Sequence, residues 1–229
     1  MKNAIVFFCL ALTLSACEQD ATLTDPAAPR DLELELGNFS TEANSATFTP
    51  YERISELVFV DADGQEYTFR MRQRNRREGY RYSDIYPHPT ESARRVNYLY
   101  TGDYNQYEFA CAELGARLKV LLRPGLCGDP RLSTEDRVQD HLQVFGIGFN
   151  PLDFYNRTPT LDIEIPARSQ CQDDSRKYGQ LTLLDHTFTE VYYSRLFWQG
   201  RPLAFYYSPS QGIVAFETDY LLAVLDRSF

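Results

Sequence analysis

Tryptophan and histidine are scarce in this 229-residue chain, which has one Trp and three His. His88, His141 and His186 are scattered, and no His-x-x-x-His, Cys-x-x-Cys or His-Glu-x-x-His spacing occurs, so no metal site is expected. No Gly-x-Ser-x-Gly elbow is present either, and no catalytic residue or cofactor is assigned. After the N-terminal segment no run of 18 apolar residues exists, which leaves no candidate for a membrane-spanning helix there. No internal repeat of 20 to 50 residues marks a solenoid or propeller. Basic charge is in deficit: 23 Lys and Arg against 32 Asp and Glu give a net charge of −9, which argues against general binding to nucleic acid or anionic membranes. What remains is ordinary globular material, 43% apolar and 14% aromatic with 12 Gly and 12 Pro, which excludes collagen-like and wholly disordered chains.

The N-terminus carries an address. Lys2 is followed by an apolar stretch from Ala4 to Leu14, and Ser15 and Ala16 precede Cys17. This predicts a secretory signal over residues 1–16, too short for a membrane-spanning helix. Leu14-Ser15-Ala16-Cys17 matches the bacterial lipobox, in which cleavage before the cysteine leaves a thiol that takes a diacylglycerol and an amino group that is acylated. Several acyl chains, at about 0.8 kcal/mol per buried CH₂, make such an anchor effectively permanent. The expected location is the outer membrane, lipid-anchored through Cys17, on its periplasmic side or at the cell surface. Residues Glu18 to Arg30 contain little that could pack and read as a tether. Residues 17–50 thus comprise the lipidated cysteine, the tether and the first strand or strands, and residues 51–229 form a single β-rich domain.

From Asp31 onward the apolar period is two rather than 3.6. Asp63-Gly64 between Glu56–Val60 and Gln65–Arg72 is a hairpin signal. A two-residue turn there predicts Val60 opposite Tyr67 and Val58 opposite Phe69, with Val58, Val60, Tyr67, Phe69 and Met71 on the buried face. A meander follows: Arg95–Tyr100, a turn at Thr101-Gly102-Asp103, Gln106–Ala112, a turn near Gly115, and Arg117–Leu122. Residues 133–145 fit either a helix, with Ser133 and Asp136 as a capping box, or a strand. Thr160–Ile165 alternates as a strand, and five strands close the chain. The last three are apolar on both parities, so both faces of that region need cover. The fold class expected is all-β, a mostly antiparallel meander forming a sandwich or a strongly curled half-barrel sheet.

Arg70, Arg72, Arg74 and Arg76 share one parity, with Arg77 adjoining. In a straight strand they would line one face over about 20 Å. That face is either an anion-binding strip, with Arg70, Arg72 and Arg74 as its candidates, or a solvated face paired with neighbouring acids. Asp185-His186 with Ser194 could be written as a triad, although adjacent strand residues face opposite ways. Asp61 and Asp63 could feed a calcium loop, but a turn explains both. With Cys9 cleaved and Cys17 lipidated, Cys111, Cys127 and Cys171 remain. A disulfide is expected between Cys127 and Cys171, both in polar loops, with Cys111 as a buried free thiol; the competing pair is Cys111 with Cys127.

Leu181-Thr182-Leu183, then Phe188-Thr189-Glu190-Val191-Tyr192, then Phe205-Tyr206-Tyr207-Ser208-Pro209-Ser210-Gln211-Gly212-Ile213-Val214-Ala215-Phe216 resemble the C-terminal signature of uncharacterised lipoproteins of the Bacteroidota. The resemblance covers the final quarter and the lipobox, and it implies provenance and architecture, with no catalytic residue. Two functions follow as expectations. One is a non-catalytic envelope binding or structural module for a glycan or protein partner. The other is a half-barrel carrier of an acyl chain or other apolar ligand. The size of the interior discriminates between them.

Overall fold

The computed structural model describes residues 31–88, 90–91, 94–127, 133, 137–149, 159–165, 176–198 and 201–229. The signal segment, Cys17, the tether and Cys171 lie outside these residues. The fold is all-β. Its strands are β1 (Leu32–Phe39), β2 (Glu56–Val60), β3 (Glu66–Pro87), β4 (Arg95–Cys111), β5 (Ala116–Leu126), β6 (Val138–Ile147), β7 (Leu161–Ile165), β8 (Arg176–Leu183), β9 (His186–Trp198), β10 (Arg201–Ser208), β11 (Gly212–Glu217) and β12 (Leu222–Ser228), with a one-turn helix α1 at Ala43–Ala46.

All twelve strands belong to one sheet in the order β7-β6-β5-β4-β3-β2-β12-β11-β10-β9-β8, with β1 beside β4. Every pairing is antiparallel except β1 with β4, which is parallel. The ends of the order do not join, so the sheet is curled and open; β7 approaches β9 across the gap. One apolar cluster, drawn from β2 to β7 and β9 to β12 together with Tyr51, fills the concave side. Tyr51, Phe59, Phe69, Phe109, Phe205, Tyr207 and Phe216 are all fully buried in it. Their rings meet edge-to-face, Phe59 to Phe216 at 5.2 Å and Tyr51 to Phe109 at 5.3 Å, and Phe149 closes on Phe216 at 5.1 Å.

The convex side of β10, β11 and β12 is also dry, as their two-sided apolar pattern requires. Its cover comes from the β8–β9 hairpin. Glu190 has φ +52°, a kink that bends the hairpin so that Leu181, Leu183, Leu184 and Phe188 pack on Tyr206, Val214, Ala215 and Val224. Residues 138–147, ambiguous by periodicity, form β6 and are buried along almost their whole length.

Two local expectations are corrected. At the first hairpin Phe59 pairs with Tyr67 and Leu57 with Phe69, one residue out of the expected register. The reason is the turn. The Asp61 carboxylate accepts the N–H groups of Asp63 and Gln65 at 3.0 and 2.9 Å, and Gly64, at φ +77°, takes the left-handed position of a longer loop. The slip turns Leu57 and Phe59 into the core and Val58 and Val60 onto the convex side. Second, Thr101-Gly102-Asp103 is no turn: β4 runs straight through it. Gly102 is there because β1 and β5 crowd it. A Cβ at this position would lie 2.7 Å from the Phe39 carbonyl oxygen and against the Pro124 ring. The first strand expected before Tyr51 is β1, which pairs with β4, and the Tyr207 hydroxyl donates to the Phe48 carbonyl.

Candidate functional site

The uniform parity expected of the arginines breaks at Arg72. Arg70 pairs with Ala110 and Met71 with Phe109, after which the register slips, so that Gln73 pairs with Glu108 and Arg74 with Tyr107. A β-bulge adds one residue and reverses the faces beyond it. Arg70 therefore stands on the convex side, while Arg74 turns to the concave side and donates to the Tyr51 carbonyl at 2.8 Å. Arg70, Arg72 and Arg74 do not form one strip.

The same bulge, with the Ala112–Gly115 turn, leaves an open cleft of about 380 Å³ on the convex side. It is lined by Thr68, Arg70, Arg72 and Arg117, by Ala110, Ala112, Gly115 and Ala116, and by Cys111 and Glu113. Arg117 is the arginine that strand parity could not reveal. It pairs with Ala110 across β4–β5, and Ala110 pairs with Arg70 across β3–β4, so the two arginines stand on either side of Ala110 with their Cα atoms two strand spacings apart, about 10 Å. Arg70 is bonded to Glu56 at 3.0 Å and Arg117 to Glu108 at 3.1 Å. Arg72 has no hydrogen bond or ion pair among the described residues.

Two residues at the cleft, Cys111 on its core side and Glu113 in the turn, have shifted proton affinity. The Cys111 thiol is pushed up to about 11, chiefly by burial and also by its 3.1 Å bond to Glu113, so it stays protonated at neutral pH. Glu113 is held below the usual carboxylate value by that bond first, and by Arg70 as a lesser cause.

A second polar cluster lies where the ends of β5 and β6 cross the β3–β4 hairpin. The Tyr100 hydroxyl donates to Asp84 at 2.5 Å and accepts from Arg123 at 3.1 Å. Arg137, almost fully buried, lies between the rings of Tyr86 and Tyr98 at 4.9 and 5.3 Å, and its Nε and Nη2 donate to the Cys127 carbonyl at 3.0 and 2.9 Å. His141 meets Asp162 at 3.1 Å, and Gln143 donates to the same carboxylate at 2.8 Å. Burial would raise Asp162, but the His141 and Gln143 bonds outweigh it and hold it below its ordinary value. Each of these groups is satisfied by another in the cluster, so it reads as the polar seam of the fold. Much of the tyrosine content is used in this way, for packing and hydroxyl bonds.

The remaining candidates are dispersed. Asp185 is in the β8–β9 turn at φ +67°, His186 stacks on Phe188 at 6.3 Å, and Ser194 pairs with Phe205 far along β9, so the three form no triad. Asp61 is used in its turn. His88 accepts the Glu91 N–H at 3.1 Å. Cys127 is disulfide-bonded and Cys111 is free; the expected partner Cys171 lies outside the described residues.

Fold and cleft together define an open, curled all-β protein with a packed concave side and an arginine-lined hollow on its exterior. No protein-family model, curated protein or solved structure matches the chain.

Proposed function

We propose that this chain is a lipid-anchored envelope protein, held in the outer membrane through Cys17, and that it works as a non-catalytic binding module on the outside of its sheet. The observation that carries this reading is the filled interior. A carrier of an acyl chain needs an apolar cavity of several hundred Å³. Here the concave side is occupied by aromatic rings in mutual contact at 5.1 to 5.7 Å. The position of the cleft also supports it. The chain enters the domain at Leu32 beside Val96, at one end of β4, whereas the cleft surrounds the other end at Ala110 and Cys111. The two are roughly 45 Å apart along the strand, which presents the cleft away from the anchor.

Two measurements test the proposal. Cys17→Ala should move the protein from the membrane to the soluble fraction and abolish acyl mass on the N-terminus; unchanged fractionation rejects the anchor. A fluorescent fatty acid should show no saturable binding, and stoichiometric uptake would restore the carrier reading.

A further inference from the structure

We propose that the cleft between the Arg72 bulge and the Ala112–Gly115 turn binds one anionic sugar unit, a single ring bearing a phosphate, sulfate or carboxylate group. This deepens the binding-module reading and rests on its claim that the ligand is taken on the exterior.

Charge is the first ground. Three guanidinium groups and one carboxylate line the cleft in a chain whose net charge is −9. Arg presents a planar fork of donors that matches the oxygens of carboxylate, sulfate and phosphate. Arg72 lines the cleft and has no hydrogen bond or ion pair among the described residues. Arg70 and Arg117 are each steadied by one carboxylate, Glu56 and Glu108. Such exposed pairs are weak and exchange readily for a better oxyanion.

Size and lining select the rest of the ligand. About 380 Å³ is near the lower end of the range for ligand sites and suits a single ring rather than a lipid tail. The apolar part of the lining is Ala110, Ala112 and Gly115, with no aromatic ring among the residues that line the cleft, so no ring stacks on a nucleobase. Acceptors stand beside the donors: the Thr68 hydroxyl and the Glu113 carboxylate. Glu113, a carboxylate ionised at neutral pH, accepts from ligand hydroxyls and repels a second oxyanion. That orients the ligand, with its charged group toward the arginines and its hydroxyls toward the turn. The Cys111 thiol, spent on Glu113 at 3.1 Å, acts as a positioning group for that acceptor.

The test is thermal-shift titration and calorimetry of the full-length chain with glucose 6-phosphate, glucose 6-sulfate, glucuronate, neutral glucose and inorganic phosphate. An anionic sugar at a hundred times its dissociation constant should raise the melting temperature by roughly 5–10 °C, with no shift from glucose and weaker binding of phosphate. Arg72→Ala and Arg117→Ala should each lose tenfold or more in affinity. Arg76→Ala, which removes the same charge from β3 outside the cleft, should retain it. No binding of any anionic sugar, glucose binding as well as glucuronate, phosphate binding as tightly as glucose 6-phosphate, or equal losses in Arg76→Ala and Arg72→Ala would each overturn the assignment. None of these results bears on the fractionation or fatty-acid measurements, so failure of the ligand class is distinct from failure of the anchored-module reading.

Discussion

Arg70 and Arg74, four residues apart on one strand, stand on opposite sides of the sheet because the register slips between them. Their substitutions should therefore differ. Arg74→Ala removes a charge-assisted hydrogen bond to the carbonyl of fully buried Tyr51 and should cost about 1.5–3 kcal/mol. Arg70→Ala removes only an exposed pair and should stay within about 1 kcal/mol. Urea midpoints measure both, and equal costs would contradict the bulge.

The first hairpin offers a sharper comparison. Phe59 is fully buried on the concave side, while Val60 is partly buried on the convex side. Phe59→Asp should cost more than about 4 kcal/mol or abolish folding, and Val60→Asp clearly less. Thermal melts showing the reverse order would restore the two-residue turn.

Gly102 should tolerate no side chain. Gly102→Ala places a methyl group against Pro124 and the Phe39 carbonyl and should destabilise by about 1–3 kcal/mol. Adding Pro124→Ala relieves one of the two contacts, so the double variant should recover part of the loss in a double-mutant cycle.

Acid stability should depend on Asp61. Its carboxylate is held below the usual value chiefly by the Gln65 N–H, with the Tyr67 hydroxyl and the Asp63 N–H adding to this and burial opposing it. A depressed folded value means that the contribution is complete above the unfolded value, about 3.9, and is lost as pH falls through the folded one. Asp61→Asn should be less stable than the parent at pH 7, and the gap should close below about pH 4. A gap constant with pH in denaturant titrations would exclude this role.

Peptide mapping of the unreduced protein should yield a fragment joining Cys127 to Cys171. Cys111, 1% exposed with its thiol near pKa 11, should be alkylated only on unfolding. Reduction should cost about 4 kcal/mol on the chain-entropy estimate for a loop of this length. A fragment joining Cys111 to Cys127 would contradict both the free thiol and the pairing.

Much of the architecture is legible in the sequence because it follows from apolar period and turn chemistry. The alternation of Phe205 and Tyr207 with Ala204 and Tyr206, and of Val214 and Phe216 with Ile213 and Ala215, announces a region dry on both sides; the structure supplies the bent hairpin that makes it so and a register shift that puts Ile213 on one side with Phe216 and Val214 on the other with Ala215. What is not legible turns on single residues. The bulge at Arg72 leaves no mark in a run of exposed polar residues, since either face tolerates them. Gly102 beside Asp103 looks the same whether glycine serves a turn or a close approach. The cleft was half visible. Arg70 and Arg72 stand out by parity, but Arg117 joins them only through Ala110, a neighbourhood set by the β4–β5 register outward from Gly115.

The seam between β2 and β12 sets how the chain must fold. These strands are neighbours in the middle of the sheet, yet Ser55 and Phe229, bonded beside them, are 174 residues apart in sequence. The C-terminal strands β8 to β12 assemble from successive hairpins, a low-contact-order unit. The centre of the sheet closes only when that unit meets β2. Topology of this kind slows folding, and until the seam closes it leaves the edge of β2 exposed as a template for pairing with other chains. Covering the edge of β2 until the seam closes would therefore matter more to the yield of this protein than any single contact within it.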